Sequence, residues 1–487
     1  MPRLDDLAEK LAPLLGRFLP RQRWYAGHET PASVAATVID SRGGDQPDEP
    51  MLVWLLLDVT VAADDATGVA DAGDAIDLTD TGAARGGEAT STPDVSTYQV
   101  VLGGRPAPCD LEFLQGKERV TVGEIDERLY YDALIDPELA LEVLATVAPD
   151  QSAKLARPLV VEQSNSSVVY DEHLILKLFR RVHPEPNPDV QITEVLGERG
   201  FPHVVPQLAV LRHDGADLAV VREYLLGSTD AWQLAHTSLR DLLGTRMPPE
   251  EAGGDFGPEA FTLGEVTGRL HVAMAEAFGT STADPAEWLE GFRAQLARLP
   301  RGDVEVNGEP VPVADLVDAA AVDAVMTDLV TADDPGPAIR IHGDLHLGQF
   351  LLADAGWFVL DFEGEPVRPV AERQVASSPL RDVAGMVRSF HYAARTGLAE
   401  RGRDVDLELV ELTEAWEDRA VSAYLAGYTH VAGVDALLPS TDEARTRVMR
   451  AFELDKAVYE ILYELAHRPD WVDIPASAVR RTLSLVG

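Results

Sequence analysis

The chain has 487 residues, a formal net charge of −41 at pH 7 and one cysteine. This length allows about two or three domains, the acidic surface disfavours nucleic acid and anionic membranes as partners, and a lone cysteine excludes an internal disulfide. No apolar run approaches the roughly 18–20 residues of a membrane span. The acidic N-terminus also lacks a signal-peptide core, so we expect a cytoplasmic protein.

Residues 1–106 are expected to form a small N-terminal domain. Apolar residues recur at helical spacing over residues 4–19, and the runs at 51–61 and 96–104 have the composition of buried strands. Between these strands, residues 62–95 consist mainly of Ala, Asp, Gly and Thr. Such a segment buries too little apolar surface to offset its chain entropy, so we predict a flexible insertion.

Residues 107–225 are predicted to form a β-rich domain. Short runs such as "SSVVYDEHLILKLFR" and "DLAVVREYLL" are typical of strands, and a single helix is expected around "PDVQITEVLGERG", ending at Gly200. This pattern favours an antiparallel sheet with one helix. Residues 226–487 are mostly helical in pattern, so the sequence predicts an α+β protein.

One stretch of the helical part, "IHGDLHLGQFLLADAGWFVLDFEGEP", is predicted to contain a hairpin. Two β-rich runs, 349–353 and 357–361, flank the turn Asp-Ala-Gly. If Ala353 faces Trp357, the register places Gln349 opposite Asp361, with Cβ atoms about 4.5–5.5 Å apart.

Oxygen ligands are those that Mg²⁺ prefers in proteins, so this pair predicts a magnesium site. Glu363 is a further candidate ligand or a solvated carboxylate, and Glu365 is expected to be solvated.

Upstream of the hairpin, Asp344 lies in the motif "HGDLH". A carboxylate there would accept a proton from a substrate hydroxyl while the metal holds the transferring phosphate. Gly343 permits a tight loop. An alternative is that His342, Asp344 and His346 ligate zinc or iron, since alternating residues of a strand share one face.

The motif "HGDLHLGQFLL…WFVLDFEGE" resembles the catalytic and metal loops of the aminoglycoside phosphotransferase and protein-kinase-like superfamily. More narrowly, the chain resembles the actinobacterial maltokinases. The resemblance extends to "FLPRQRWYAG", "YDALIDPE", "SPLRDVAGMVRSFHYAA" and "ELDKAVYEILYELAHRPDWVDIP", and to residues 162–192. It covers most of the chain apart from 62–95 and 235–255.

The resemblance implies a bilobal, protein-kinase-like α+β fold with an N-terminal cap domain. It also implies transfer of phosphate from ATP to the 1-hydroxyl of maltose, for α-glucan (glycogen) synthesis. Asp344 would be the catalytic base, Gln349 and Asp361 would hold Mg²⁺, and Lys177 would reach the phosphates. We expect a monomer whose partners are ATP and a small sugar.

The resemblance also implies a lysine partner on the helix after the Lys177 strand. The family tends to have Glu where this chain has Gln191, and Glu194, one turn later, is the alternative partner. The residues carried over to ATP binding are Lys177, Glu194, Ser166, Glu223 and Leu225.

Two predicted helices carry the acceptor side, one from about 378 to 397 and one that stops before Pro469. Asp382 is expected to brace the catalytic loop. The residues assigned to substrate binding are His346, Arg388, Tyr392, Glu453, Lys456 and Tyr459. For the polar residues of the second helix, a charge ladder on a solvated face is the alternative interpretation.

His391 departs from the Asp that the family often has, which leaves glucosamine, another amino sugar or an aminoglycoside as the alternative acceptor. A non-enzymatic, pseudokinase-like binding module is a second alternative. The presence of Asp344, Gln349, Asp361 and Lys177 together speaks against it.

Overall fold

The structure is a computed structural model that describes residues 4–25, 30–46, 48–61, 95–107, 112–159, 164–331, 334–365, 373–402 and 405–486. Its described residues form two compact units. The first unit reaches residue 194 and includes 205–226, and the second comprises 195–204 and the chain from 227 onward. The flexible insertion predicted for 62–95 lies outside the described residues except for Val95.

The described residues contain helices α1 to α12. In chain order they are Leu4–Phe18, Pro137–Val147, Pro188–Glu198, Ala231–Thr245, Gly257–Phe278, Pro285–Leu296, Val313–Leu316, Ala319–Val330, Leu380–Ala399, Leu407–His430, Asp442–His467 and Asp473–Val486. None of these helices is long and apolar enough to cross a bilayer.

The described residues also contain strands β1 to β18. In chain order they are Ser33–Gly43, Met51–Thr60, Val95–Pro106, Thr121–Ile125, Arg128–Asp132, Ala156–Pro158, Ser166–Tyr170, Leu174–Leu178, Arg181–Val182, Gln207–His213, Ala216–Glu223, Thr229–Asp230, Thr280–Thr282, Asp303–Val306, Glu309–Pro312, Pro337–Ile339, Phe350–Ala353 and Gly356–Val359.

The first unit is built on two antiparallel sheets. One has the order β1-β2-β3-β5-β4, with β9 paired to β3, and the other has the order β10-β11-β8-β7-β6. Apolar residues of both sheets, among them Trp54, Tyr131 and Leu176, pack into one core with α2. The hydrophobic runs that predicted strands therefore pair with one another, and β8, which carries Lys177, is the central strand of its sheet.

The expectation of a single helix between residues 107 and 225 was wrong, because α2 is a second one. Its N-terminus has a strong signal in the sequence. Asp136 accepts hydrogen bonds from the Glu138 and Leu139 amides, and Pro137 occupies the first turn. Pro is preferred there because its missing N–H has no partner in the first turn.

A buried glutamine joins the two sheets of the first unit. The side-chain oxygen of Gln99 accepts from the Trp54 indole N–H at 2.8 Å. Its amide nitrogen donates to the carbonyl oxygens of Phe179 and Leu218 at 2.5 and 2.6 Å. Since a buried polar group without partners is costly, these three bonds fix the spacing of the sheets.

Two helices of the second unit approach each other closely at glycines. A Cβ atom on Gly264 in α5 would overlap the carbonyl oxygen of Tyr424 in α10. Likewise, a Cβ atom on Gly427 would overlap the carbonyl oxygen of Phe261. The absence of side chains at these two positions therefore sets the distance between α5 and α10.

The substitution Gly427→Ala should lower the free energy of unfolding by about 1–3 kcal/mol, because the added methyl group separates α5 from α10. Urea denaturation measures the change. Gly291→Ala in α6 is the control, since nothing lies within 4 Å of its added Cβ atom, and Ala there should be neutral or stabilise by about 0.5–1 kcal/mol. Equal stability of the two variants would contradict the close approach.

Candidate active site

The loop that carries Asp344 is held by one buried carboxylate at the start of α9. Asp382 Oδ2 accepts from the His342 amide at 2.8 Å, and Oδ1 accepts from the Gly343 amide at 2.9 Å. His271 Nε2 lies 3.1 Å from the same Oδ2, and its Nδ1 lies 2.9 Å from the Tyr428 hydroxyl. As expected, Asp382 braces the loop that carries Asp344, and the catalytic role of that loop stays a prediction.

The same loop also lies directly against α9. The Leu347 amide donates to the Ser389 hydroxyl at 3.1 Å. A Cβ atom on Gly385 would lie 2.6 Å from the carbonyl oxygen of Leu345, a separation that real Cβ atoms do not adopt. Glycine at 385 therefore lets the backbone next to Asp344 rest on the helix.

Both histidines of the "HGDLH" motif serve the loop backbone. His342 Nε2 donates to the Leu360 carbonyl at 2.8 Å, and its Nδ1 accepts from the Asp344 amide at 3.3 Å. His346 Nδ1 accepts from the Gly348 amide at 3.0 Å. Because both ring nitrogens of His342 are engaged, this geometry speaks against the alternative that the motif ligates zinc or iron.

Asp344 lies at one end of a row of alternating charges. Its Oδ1 is 2.9 Å from Lys456 Nζ, which is also 2.9 Å from Glu365 Oε1. Glu365 Oε2 is in turn 3.0 Å from an Arg381 guanidinium nitrogen. Only 5% of the Glu365 side chain is exposed, so the expectation that it is solvated was wrong.

The electrostatics of this row keep Asp344 ionised. Burial opposes the charged form, but the Lys456 ammonium and His346 outweigh it and hold the pKa of Asp344 below its ordinary 3.8. Burial likewise opposes the charge of Lys456, yet Asp344 and Glu365 raise its pKa well above the ordinary value. Asp344 is therefore a carboxylate at neutral pH and has the form that a general base requires.

The predicted hairpin is present as β17 and β18, but its register differs by one residue. Ala353 pairs with Gly356 rather than with Trp357, and Gln349 lies opposite Leu360, whose amide donates to the Gln349 carbonyl at 2.9 Å. The reason is Gly356, whose φ of 117° lets it join the strand and leaves a two-residue turn. Asp361 is not the cross-strand partner of Gln349.

The residues after the hairpin bring two carboxylates together. One oxygen of Asp361 and one of Glu363 lie within 4.8 Å of each other. Asp361 has a φ of 60°, an uncommon value for a residue with a side chain. Two hard oxygen donors at this separation suit Mg²⁺, which uses few protein ligands where phosphates complete its shell.

In the first unit, Lys177 is paired with a residue that the sequence prediction missed. Its ammonium nitrogen lies 3.6 Å from Asp189 Oδ2, which also accepts from Arg222 Nη1 at 3.1 Å. Asp189 is fully buried in the first turn of α3. Lys177 is only 14% exposed and lies on a central strand beside a buried carboxylate. A lysine without a specific role usually lies on the exposed surface instead.

The choice between Gln191 and Glu194 as the lysine partner was therefore wrong. Glu194 accepts from Arg212 at 3.0 Å. At about 100° per residue, Glu194 lies about 140° around the helix from Asp189, so its side chain points elsewhere. The signal for Asp189 was its position directly after Pro188 at the start of a predicted helix.

The other nucleotide-side candidates lie at strand ends. The Ser166 hydroxyl, at the start of β7, accepts from Arg180 Nε at 2.8 Å. Glu223 is the exposed last residue of β11, and Leu225 follows it before the end of the first unit. Their roles in ATP binding stay predictions.

On the acceptor side, α9 and α11 face each other through polar side chains. Arg388 donates to Glu460 Oε2 at 2.5 Å, and the Tyr392 hydroxyl donates to Glu464 at 2.9 Å. The Lys456 ammonium lies 4.5 Å from the centre of the Tyr459 ring. A solvated charge ladder does not describe this helix, since these groups are buried or half-buried and paired.

Two polar groups at this interface make no hydrogen bond to a described residue, although the charges of Arg388, Arg481 and Arg450 act on one of them, Glu453. Arg388 Nη1 is buried and has no hydrogen bond to any residue in the described parts of the chain. Glu453 makes no hydrogen bond or ion pair with a described residue, and burial, opposed chiefly by Arg388, raises its pKa. A donor and a carboxylate thus lie near each other without being engaged, as in sites that bind polar ligands.

Comparison with known proteins identifies the family of the chain. Residues 18–136 match the family described as the maltokinase N-terminal cap domain. A glucosamine kinase of Streptacidiphilus jiangxiensis is 31% identical over 355 residues, which cover 70% of this chain and 75% of that protein. The chain belongs to the family of these sugar kinases. A glucosamine kinase of Mycolicibacterium smegmatis is 28% identical, covering 68% of this chain and 80% of that protein.

A solved structure shows the fold of this kinase. A glucosamine kinase in complex with glucosamine, ADP and inorganic phosphate matches with a TM-score of 0.59 and 22% identity, covering 88% of this chain and 92% of that one. The α+β kinase-like fold with an N-terminal cap domain, predicted from the motifs, is confirmed. The enzyme is a kinase-type phosphotransferase.

The substitution Gly385→Ala should displace the loop next to Asp344 and lower kcat, on the order of 10²-fold for a shift near 1 Å. Steady-state release of ADP measures it. Gly397→Ala is the control on the same helix, because the three atoms nearest to its added Cβ atom all belong to the Leu239 side chain, at 3.2 Å or more. Unchanged kcat in a folded Gly385→Ala enzyme would mean that this contact does not position the loop.

Proposed function

We propose that the protein transfers the terminal phosphate of ATP to a hydroxyl group of an amino sugar, with glucosamine as the acceptor. The observation that carries the phosphotransfer is the ionised Asp344 carboxylate on a loop braced by Asp382. The names of the two curated relatives support glucosamine. ADP and glucosamine in the solved relative agree with both substrates.

In the proposed reaction, Asp344 accepts the proton of the acceptor hydroxyl. The hydroxyl oxygen forms a bond to the terminal phosphorus, the bond from that phosphorus to the bridging oxygen breaks, and ADP leaves. Lys456, 2.9 Å from the Asp344 carboxylate, holds that group in place before transfer. Positioning and electrostatic stabilisation account for most of catalysis in such transfers.

Two carboxylates and one lysine would bind the metal ion and the phosphates of ATP. We assign Asp361 and Glu363 to Mg²⁺, with Gln349 as a further candidate ligand. When bound, the ion neutralises the charge of the transferring phosphate. Lys177, oriented by Asp189, would bind phosphate oxygens.

An ammonium group on the acceptor would find its counter-charge at Glu453. This carboxylate lies on α11 one turn before Lys456 and makes no hydrogen bond with a described residue, although the charges of Arg388, Arg481 and Arg450 act on it. Arg388 Nη1, also unpartnered in the described part of the chain, would donate to a sugar hydroxyl. Donors and carboxylates in this combination distinguish an amino sugar from an uncharged one.

Maltose, phosphorylated at its 1-hydroxyl for α-glucan synthesis, is the second candidate acceptor. The match of residues 18–136 to the maltokinase cap domain favours it.

We also retain the proposed domain boundaries 1–106, 107–225 and 226–487, a cytoplasmic location and a monomeric state as predictions.

The substitution Asp344→Asn should lower kcat by about 10²–10⁴-fold, because an amide does not accept the hydroxyl proton, and should leave ATP binding unchanged. Coupled ADP release and isothermal titration with ATP measure the two effects. Asp354→Asn, in the exposed turn of the same hairpin, is the matched control. An Asp344→Asn enzyme with near-normal turnover would reject the base assignment.

The substitution Glu453→Gln should raise the KM for glucosamine roughly 10- to 100-fold, the effect of removing a charged hydrogen-bond partner. The same panel should include maltose and glucose, whose KM values stay unchanged because they carry no ammonium group. Because burial raises the pKa of Glu453, the glucosamine KM of the native enzyme should rise as pH falls through that pKa and Glu453 loses its charge.

If the native enzyme turns over maltose but not glucosamine, maltose and not glucosamine is the acceptor. Equal rises in KM for all three sugars in Glu453→Gln would show that Glu453 does not recognise the amine.

A further inference from the structure

The carboxylate of Asp189 is shared between two cations from neighbouring strands of the first unit. Its Oδ2 lies 3.6 Å from Lys177 Nζ and 3.1 Å from Arg222 Nη1. No part of the Asp189 side chain is exposed, so nearby cations have to compensate its charge. The shorter of the two contacts is with Arg222, a residue that the proposed phosphotransfer does not include.

The strand register explains why both cations reach one carboxylate. Lys177 of β8 lies directly opposite Val220 of β11, and Arg222 follows Val220 by two residues. Opposite residues of paired strands share a face of the sheet, and so do residues two apart on one strand. Val220 belongs to a buried cluster with Val190 of α3. Lys177 and Arg222 therefore lie on the face of the sheet against which α3 packs.

Arg222 binds the start of α3 at three points. Besides the carboxylate, it contacts the Asp189 carbonyl oxygen at 3.3 Å and the Thr193 hydroxyl at 2.9 Å, both through Nη2. The Thr193 hydroxyl in turn donates to the same carbonyl oxygen at 2.6 Å. Because the guanidinium is planar and its donors point in fixed directions, these bonds set the orientation of the Asp189 side chain as well as compensating its charge.

Further hydrogen bonds fix the backbone on both sides of Asp189. The Asp189 amide donates to Asn187 Oδ1 at 2.9 Å. Gln207 Nε2 donates to the Val190 carbonyl oxygen and to the Thr193 hydroxyl, both at 2.6 Å. Lys177, by contrast, carries its charge on a flexible four-carbon chain. The carboxylate therefore determines where the lysine points, rather than the reverse.

We infer that Arg222 is a positioning residue for the phosphotransfer: it holds Asp189 where this carboxylate orients Lys177, and thereby sets the affinity for the phosphates of ATP. The inference rests on the proposed function, in which Lys177 binds phosphate oxygens, and adds to it a residue that acts through Asp189. Without the guanidinium, the carboxylate would lose its shorter ionic contact and would draw Lys177 toward itself, away from phosphate.

The test begins with Arg222→Gln, which removes the charge and retains an amide donor. Isothermal titration with ATP and Mg²⁺, without an acceptor, should show an affinity lower by about 10-fold or more, the effect of losing a charged hydrogen bond. In steady-state release of ADP, the KM for ATP should rise similarly. The KM for glucosamine should stay unchanged, because its proposed contacts lie on α9 and α11. Arg222→Lys, which retains the charge, should recover part of the loss.

A double-mutant cycle with Asp189→Asn distinguishes positioning from a purely structural role. Asp189→Asn alone should weaken ATP binding, because a neutral amide does not hold the Lys177 ammonium. In this background, Arg222→Gln should cause less than about a twofold further loss, since the carboxylate through which it acts is absent. An arginine that only stabilised the fold would lower the affinity by the same factor in both backgrounds.

Arg212→Gln is the matched control. Arg212 also joins the sheet to α3, but its ion pairs with described residues are with Glu194 at 3.0 Å and Asp217 at 2.8 Å. Its loss should change the ATP affinity by less than about twofold. Circular dichroism confirms that each variant is folded. If Arg222→Gln does not fold, Thr193→Val replaces it, and loss of this one hydroxyl should weaken ATP binding about 2- to 10-fold.

Three results would overturn the inference. The first is an unchanged ATP affinity in folded Arg222→Gln protein. The second is an equal loss of affinity with and without the Asp189 carboxylate. The third is an equal rise in KM for ATP and for glucosamine, which would indicate a general loss of structure. Turnover of glucosamine by the native enzyme reports on the proposed function alone, whereas the titrations with ATP need no acceptor and report on Arg222.

Discussion

The loop that carries Asp344, the proposed base, depends on one buried carboxylate, that of Asp382. It accepts from two successive backbone amides of the loop and from His271, which itself contacts the Tyr428 hydroxyl. Burial raises the pKa of such a group, but His271 and the amide donors outweigh this effect and lower it. Its stabilising contribution is therefore complete above the pKa of an unfolded aspartate and is lost only as pH falls through the lower folded value. Across neutral pH the loop is held in one place.

Asp344, on this loop, begins a row of alternating charges whose other members come from α11, from the segment after the hairpin and from α9. Lys456 is shared between the carboxylates of Asp344 and Glu365, and Arg381 pairs with the other oxygen of Glu365. A chain with a net charge of −41 would otherwise repel ATP. Lys177, 14% exposed, supplies local positive charge where phosphates are proposed to bind, and Lys456 balances the carboxylates of Asp344 and Glu365. The same acidity suits an acceptor that carries an ammonium group, since Glu453 is left to receive it.

Much of this could be predicted from local sequence. The hairpin, the strand that carries Lys177, the helices of the acceptor side and the bracing role of Asp382 follow from periodicity and motifs. The register of the hairpin could not, because a single glycine, Gly356, shortened the turn by adopting a φ that other residues rarely adopt. The partner of Lys177 was missed because it depends on which face of α3 meets the sheet. Burial of Glu365 was missed because it depends on Lys456 and Arg381, which are distant in sequence.

The account rests on Asp344 facing the hydroxyl that receives the phosphate. A crystal structure of the enzyme with ADP, Mg²⁺ and glucosamine tests this most directly. We predict an acceptor hydroxyl oxygen within about 2.6–3.2 Å of an Asp344 carboxylate oxygen, with the ion bound by Asp361 and Glu363. Glucosamine bound with all its hydroxyl groups remote from Asp344 would contradict the central claim.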